Sequence, residues 1–434
     1  MKHIFIGLMV VLGFAAPLRA QNNSLEYALY DLPDVVFREI PTRGDFSQSY
    51  ELHIKQFLDH EHPEKGVFYQ RAFLSHKGFD KPMVMYISGY SQRSVYVSEV
   101  TQLLDANQLS VEHRFFGESL PDSMDYKYLT IEQATADLHH INELMKQIYK
   151  GKWVSTGISK GGATVIFYKY FFPDDVDAAI PYVAPINTEL EEKSLYTFLD
   201  TVGTDQCREN IFLFQKRMFH HRSEILPLLE MYSEGAGLKF NYLGLEGAFE
   251  YAVLEYPFAF WQYGSPCDEI PADTCSLLSA VKYFIKVSNI RLFSDSDIDY
   301  FLPHYYQSAT QLGYYGYRTE RFKEDLKVLP VYPHPNAAIV PQNIPVKFDG
   351  SVLKAVHSWA KTKGNRLMYV YGSSDTWTGS AIQPSDKVDA VWFFMKGKNH
   401  GSARYKEMTP EEKEKYRSTL ERWLGFKIVN SDIR

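Results

Sequence analysis

"KWVSTGISKGGATVIFYKYFFP", residues 152–173, decides the fold. Trp153-Val154-Ser155-Thr156 favours an extended strand, because β-branched and aromatic side chains fit a pleated, half-buried surface, and Ala163 to Tyr170 reads as helix. Between them Gly157-Ile158-Ser159-Lys160-Gly161 matches G-x-S-x-G, in which glycines two residues either side of the serine permit a turn that side chains would obstruct. Ser159 then projects from the apex. The following helix aims its unpaired N–H groups and positive dipole end at the same point, which favours an oxyanion there. A five-residue match is also an ordinary Gly/Ser turn before a helix, so a nucleophile reading needs partners elsewhere in the chain.

On the amino-terminal side, Tyr50 to Ile54 and Val67 to Leu74 read as strands around a polar turn. Pro82 to Ser88 reads as a buried strand ending in Gly89-Tyr90, and Leu109 to Glu112 as another. Thr130 with Gln133 forms a capping-box start for a helix whose Ala134, Leu138, Ile141, Met145 and Ile148 share one face. Ala178 to Ala184 is the strand after the opening stretch. Strands alternating with helices through short connections predict a parallel sheet covered on both faces.

From about Asn187 to Pro345 the chain is aromatic and helix-like, without short apolar strands, and reads as a mostly helical insertion. Strand signals return at Arg366 to Tyr371, leading into Asp375, and at Ala390 to Phe394, leading into His400, before a closing helix around Thr409 to Leu424. Sites in open parallel sheets lie beyond the carboxyl ends of the strands, where Ser159, Asp375 and His400 would collect. Singly, Asp375 reads as a turn residue and His400 as a loop histidine. Together, in the order Ser, Asp, His, they predict an α/β-hydrolase fold with a mostly helical cap inserted in the core. Residues 21–186 and 346–434 form the expected core and 187–345 the cap.

The chemistry needs all three groups. A serine hydroxyl is a weak nucleophile until a base within hydrogen-bond reach removes its proton; a neutral His400 suits that task, with Asp375 orienting the imidazole. The oxyanion would be met by the backbone N–H groups of Lys160 and of Tyr90, after the third strand. The Lys160 side chain is expected in solvent.

With 434 residues, a net charge of −7, 45% hydrophobic and 15% aromatic residues, neither disorder nor a basic nucleic-acid surface is expected. Met1 to Ala20 carries the charged, apolar and small-residue parts of a secretory signal peptide, cleaved after Ala20, and predicts export to a periplasm or the cell exterior. No later stretch is long and apolar enough to span a bilayer, so no stable membrane insertion is expected. In an oxidising compartment Cys267 and Cys275 could close a local bridge, and Cys207 with either is also possible; spacing does not choose. No Cys/His spacing reads as a metal site, and no cofactor is expected.

Beyond the elbow, Glu112-His113-Arg114-Phe115-Phe116-Gly117-Glu118-Ser119 resembles the E-H-R-x-x-G-E-S signature of secreted serine exopeptidases related to lysosomal Pro-X carboxypeptidase and dipeptidyl peptidase II. Phe57-Leu58-Asp59-His60, the Phe68 to Arg71 segment and Tyr306 to Gly313 are similar to other stretches of that group. The chain departs from it in its Gly157 to Gly162 elbow and in Ser88-Gly89-Tyr90-Ser91, where the group has a G-N-E loop. These features resemble more closely the bacterial tripeptidyl aminopeptidases of serine peptidase family thirty-seven. That resemblance implies peptide substrates and release of tripeptides from free amino termini under a helical cap.

Glu112, Arg114 and Glu118 could bind substrate termini, but an ion-pair network bracing the active-site loops is the favoured reading, given the cost of unpaired buried charge. An aminopeptidase needs an acid for the substrate ammonium, and Glu246, Glu250 and Glu255 are all available. Trp377, near Asp375, either walls the pocket or simply packs. Competing readings are an esterase or lipase of the same fold, a prolyl dipeptidyl-peptidase or carboxypeptidase-like enzyme, and a catalytically silent peptide-binding protein.

Overall fold

The computed structural model describes residues 24–330, 333–335, 339–340, 344–429 and 433; the expected signal peptide, 1–20, lies outside them. Nine strands form one sheet: β1 (Val35–Glu39), β2 (Gln48–Phe57), β3 (Val67–His76), β4 (Met83–Ile87), β5 (Asn107–Val111), β6 (Trp153–Ile158), β7 (Ala178–Tyr182), β8 (Met368–Gly372) and β9 (Val391–Met395). Their spatial order is β1-β2-β3-β5-β4-β6-β7-β8-β9. From β5 to β9 every neighbour is parallel. The expected parallel sheet carries an antiparallel extension at its other end, where β1–β2, β2–β3 and β3–β5 pair antiparallel. The turn between Phe57 and Val67, directly opposed in the register, is too short for the crossover that a parallel return requires. β1 escapes sequence reading because it is an edge strand with little burial to enforce an apolar pattern.

Alternation along the parallel strands sends side chains to two cores. Met83, Met85, Ile87 and Trp153 pack in one core with α1 (Leu25–Tyr30), α3 (Ile131–Met145) and α4 (Lys160–Phe171). Val84, Val154, Ile180 and Val370 pack on the opposite face with α2 (Glu99–Leu104) and the closing helix Pro410–Leu424. Thr130 caps α3 by accepting from Gln133 N–H at 3.1 Å. The other half of the expected capping box is diverted: the Gln133 amide donates to Asp59 at 2.9 Å and accepts from His60 N–H at 2.9 Å, pinning the β2–β3 turn to the helix.

Between β7 and β8 the chain forms α5 (Lys193–Thr201), α6 (Asp205–His220), α7 (Arg222–Ala236), α8 (Gly244–Tyr263), α9 (Leu277–Ser288) and α10 (Asp295–Gln307) around their own aromatic core. Cys207 in α6 is bonded to Cys267 after α8, leaving Cys275 free, so the local 267–275 bridge is not the one formed. Packing of α6 against α8, rather than spacing, selects the pair.

Candidate active site

Ser159 stands between β6 and α4 with φ 58° and ψ −125°, a left-handed backbone that a β-carbon resists. Two hydrogen bonds hold it there: its N–H donates to Tyr182 O at 2.9 Å and its carbonyl accepts from Ala163 N–H at 2.9 Å. The flanking glycines serve close approach rather than unusual φ. A β-carbon on Gly157 would sit 2.6 Å from the Gly161 carbonyl and 2.7 Å from Ile87 O, and one on Gly161 would strike Ile87 O. β4 and the elbow are thus in backbone contact. So is the loop after β4, where a β-carbon on Gly89 would lie 2.6 Å from Gly161 N.

Lys160, first residue of α4, is buried, which corrects its expected solvent position. Its Nζ donates to Gly89 O at 2.8 Å and lies 5.5 and 5.1 Å from the centres of the Tyr90 and Phe116 rings. Burial holds this amine well below the ordinary lysine range. Burial also lowers His304 to about 3, with the Lys160 charge adding to it. Among the described residues the Lys160 backbone N–H has no acceptor, whereas Tyr90 N–H donates to Ser88 Oγ at a long 3.3 Å.

Asp375 follows β8 and is fully buried. Oδ1 accepts from Trp377 N–H at 3.1 Å, and Oδ2 lies 2.7 Å from His400 Nδ1. With Nδ1 donating, the tautomer that such a carboxylate enforces, Nε2 keeps its lone pair and is basic. His400 follows β9 on a loop tied to the cap: its N–H donates to Gln262 O at 3.0 Å, and Asn399 Nδ2 donates to Tyr263 O at 3.1 Å. Gly372, at the end of β8, leaves room for Lys398 O, which any β-carbon would strike.

Trp377 and Gln262, which touch the Asp375–His400 pair, also line the cavity containing Ser159. Ser159 Oγ and His400 Nε2 each lack a hydrogen-bond partner among the described residues, so the third link is not closed in this structure. Catalytic hydrogen bonds are often long without substrate and tighten on binding.

The cavity encloses about 160 Å³ and is walled by aromatic rings, including Tyr90, Phe301, Tyr305, Tyr314 and Trp377. Of the three acids on α8, Glu255 alone lines it. Tyr315 Oη lies 2.9 and 2.8 Å from its two carboxylate oxygens and Tyr317 Oη 2.8 Å from Oε2, while burial raises the carboxyl to about 7. Glu246 and Glu250 instead face Arg222, at 2.8 and 2.5 Å.

Glu112 and Glu118 lie away from this lining. Glu112 is sealed by five donors: Arg71 at 2.7 Å, the N–H groups of Gln92, Glu118 and Ser119 at 2.7, 2.8 and 3.0 Å, and Ser119 Oγ at 2.9 Å. Glu118 meets Arg71 at 2.5 Å. Arg114 forks onto Asp137 with two 2.7 Å bonds and reaches three backbone carbonyls. The octapeptide therefore braces the loop below Tyr90, whose carbonyl accepts from His113 N–H at 3.2 Å.

A strained serine at a strand-to-helix turn, a paired aspartate and histidine beyond later parallel strands, and a helical cap define a serine hydrolase of the α/β-hydrolase fold. Residues 28–431 match the family described as PS-10 peptidase S37, and the chain belongs to this family of serine peptidases. It is 32% identical, over 95% of its length and 87% of the relative's, to a prolyl tri/tetrapeptidyl aminopeptidase of Streptomyces mobaraensis. It is 26% identical to the human lysosomal Pro-X carboxypeptidase over 47% of each chain. Among solved structures, a proline iminopeptidase of Mycobacterium smegmatis aligns over 90% of this chain and 98% of its own at 13% identity, with a TM-score of 0.39.

Proposed function

We propose that this peptidase is exported and releases short peptides, tripeptides foremost, from free amino termini through an acyl-enzyme on Ser159. The observation that carries the exopeptidase reading is that one aromatic-walled cavity contains both Ser159 and the buried carboxylate of Glu255. An ammonium brought to Glu255 gains a charge-assisted hydrogen bond in a buried site, whereas an acetylated terminus leaves the carboxylate, though hydrogen-bonded by its tyrosines, without a counter-charge. The aromatic walls suit a prolyl ring, and the Streptomyces relative is a prolyl tri/tetrapeptidyl aminopeptidase.

In this mechanism His400 Nε2 takes the proton of Ser159 Oγ as it adds to the peptide carbonyl, and Asp375 supports the resulting imidazolium. Negative charge on the carbonyl oxygen is met by the N–H groups of Lys160 and Tyr90; a charged oxygen outcompetes Ser88 Oγ for the latter. His400 then protonates the departing amine, and water releases the acyl fragment by the reverse sequence. Export draws support from the Cys207–Cys267 disulfide, a bond that persists in oxidising compartments. No helix among the described residues is long and apolar enough to cross a membrane.

Mass spectrometry of products from matched free and N-acetylated peptides tests the reading. Short amino-terminal fragments from the free peptides only are expected. Equal cleavage of both sets, or turnover of acyl esters alone, overturns it.

A further inference from the structure

The cap contains a second cavity, of about 430 Å³, against about 160 Å³ for the one holding Ser159. Helix α8 stands between them. Its Glu255, Ala259 and Gln262 face the Ser159 cavity, and its Leu254, Phe258 and Trp261 face the other. Both sets follow helical spacing, so one helix serves as a wall with two faces. The segment after α10 completes the partition: Tyr314 lines the first cavity, Gly316 and Tyr317 the second, and Tyr315 lines both.

Tyr315 is fixed as a panel. Its ring stacks on Phe258, centroids 3.8 Å apart and 16° from parallel, and on Tyr314 at 4.3 Å and 23°. Its hydroxyl is held by both Glu255 oxygens. The backbone beside it packs closely on two side-chain tips, since a β-carbon on Gly316 would come within 2.6 Å of Glu191 Oε1 and 2.7 Å of Tyr196 Oη. A side chain stacked on both faces and hydrogen-bonded at its tip does not swing aside for a longer substrate.

We propose that Tyr315 determines the length of the released fragment, by closing the Ser159 chamber at Glu255 and barring the acyl side of the substrate from the larger chamber beyond. The proposal rests on the amino-terminal exopeptidase reading above. A fragment whose ammonium sits at Glu255 ends at the panel; one residue more would have to pass through the Tyr315 ring. Removing that ring opens a space larger than the site itself, lined by Phe212, Leu254 and Trp261 together with the charged Asp200, Arg208 and Arg318, which leaves room for an additional residue.

The test uses the mature chain and unblocked peptides lengthened one residue at a time from the amino terminus, with products read by mass spectrometry. The wild type is expected to release one predominant length. Tyr315→Ala is expected to release longer fragments, with the ratio of kcat/KM for long over short fragments raised at least tenfold, and to begin cleaving N-acetylated peptides. Tyr315→Phe, which keeps the ring, retains the wild-type length. Phe258→Ala, which removes one of the stacking supports from the far side, shifts length in the same direction by less. A folded, active Tyr315→Ala with the wild-type product length overturns the proposal. If that variant does not fold, Phe258→Ala decides in the same terms, longer fragments supporting the proposal and unchanged length overturning it. A wild type that releases no amino-terminal fragments removes the exopeptidase reading itself, a distinct result.

Discussion

The elbow rim and the cap wall use different means to fix a functional group. At the rim, backbone fixes backbone: Gly157, Gly161 and Gly89 admit contacts that no β-carbon would permit, and Ser159 is forced into its turn. At the wall, side chain fixes side chain: Glu255 is placed by tyrosine hydroxyls and Tyr315 by stacked rings. On the mechanism proposed above, the bond-making rim therefore tolerates almost no substitution, while the wall that would recognise substrate can be reshaped by exchanging one ring for another. Variants at the two regions should fail differently, the rim in kcat and the wall in KM and product length.

The largest effect belongs to Asp375. Asp375→Asn keeps the shape of the side chain but presents a donor to His400 Nδ1 and favours the wrong tautomer. By analogy with serine proteases, kcat should fall about ten-thousandfold with KM little changed. Steady-state kinetics on an unblocked peptide check this, and a decline below tenfold would break the rim's assignment to chemistry.

Next is Lys160→Met. The Nζ hydrogen bond to Gly89 O holds the loop carrying Tyr90 against the elbow, and the amine donates whether or not it is charged. Loss of the bond should lower kcat by roughly ten- to a hundredfold, less than removal of a direct oxyanion donor. Binding of a peptide aldehyde, which forms the tetrahedral oxyanion, should weaken in proportion, while binding of an uncleaved product peptide should not. Equal weakening of both would mean that Lys160 merely supports the fold.

Much of the rim was legible because its residues follow apolar strands at their carboxyl ends: the elbow after β6, Asp375 after β8, His400 after β9. What the sequence did not show depends on contacts between distant segments. Lys160 looks like a surface lysine until the β4 loop lies across it, and Gln133 looks like a capping partner until Asp59 and His60 arrive. The cysteine pairing required α6 to meet the end of α8. Glu250 and Glu255 are both buried acids on one apolar helix; five positions apart, they face different sides, a distinction invisible until each side has a neighbour.

At the wall, Glu255→Gln should have a pH-dependent cost. Burial raises the Glu255 carboxyl to about 7, so it becomes anionic as pH rises through that value and then attracts an ammonium. The wild-type to variant ratio of kcat/KM for a free-amine peptide should be small below pH 6. It should rise to roughly ten- to a hundredfold by pH 8, the worth of one hydrogen bond to a charged group. Taking the ratio isolates Glu255 from titrations common to both proteins, and any residual turnover of acetylated peptides should show no such rise. For stability the sign reverses: the native state holds this proton more tightly than the unfolded chain, so the stabilisation is full below the ordinary value of 4.5 and is lost as pH climbs through 7.

The smallest effect probes the seam between the two regions. Thr376, buried beside Asp375, donates its hydroxyl to Phe258 O in α8 at 2.9 Å, linking the aspartate's turn to the helix that carries Glu255. Thr376→Val preserves shape and removes the donor. The cost should be about 1 kcal/mol of stability, the net worth of a neutral hydrogen bond, measured by chemical denaturation. Because the Asp375–His400 pair keeps its own bonds to Trp377 and Gln262, kcat should hold within a factor of two or so, and any loss should fall on KM through the placement of α8. A fall in kcat with KM unchanged would mean that rim and wall are one mechanical unit, and the division between chemistry and recognition would have to be withdrawn.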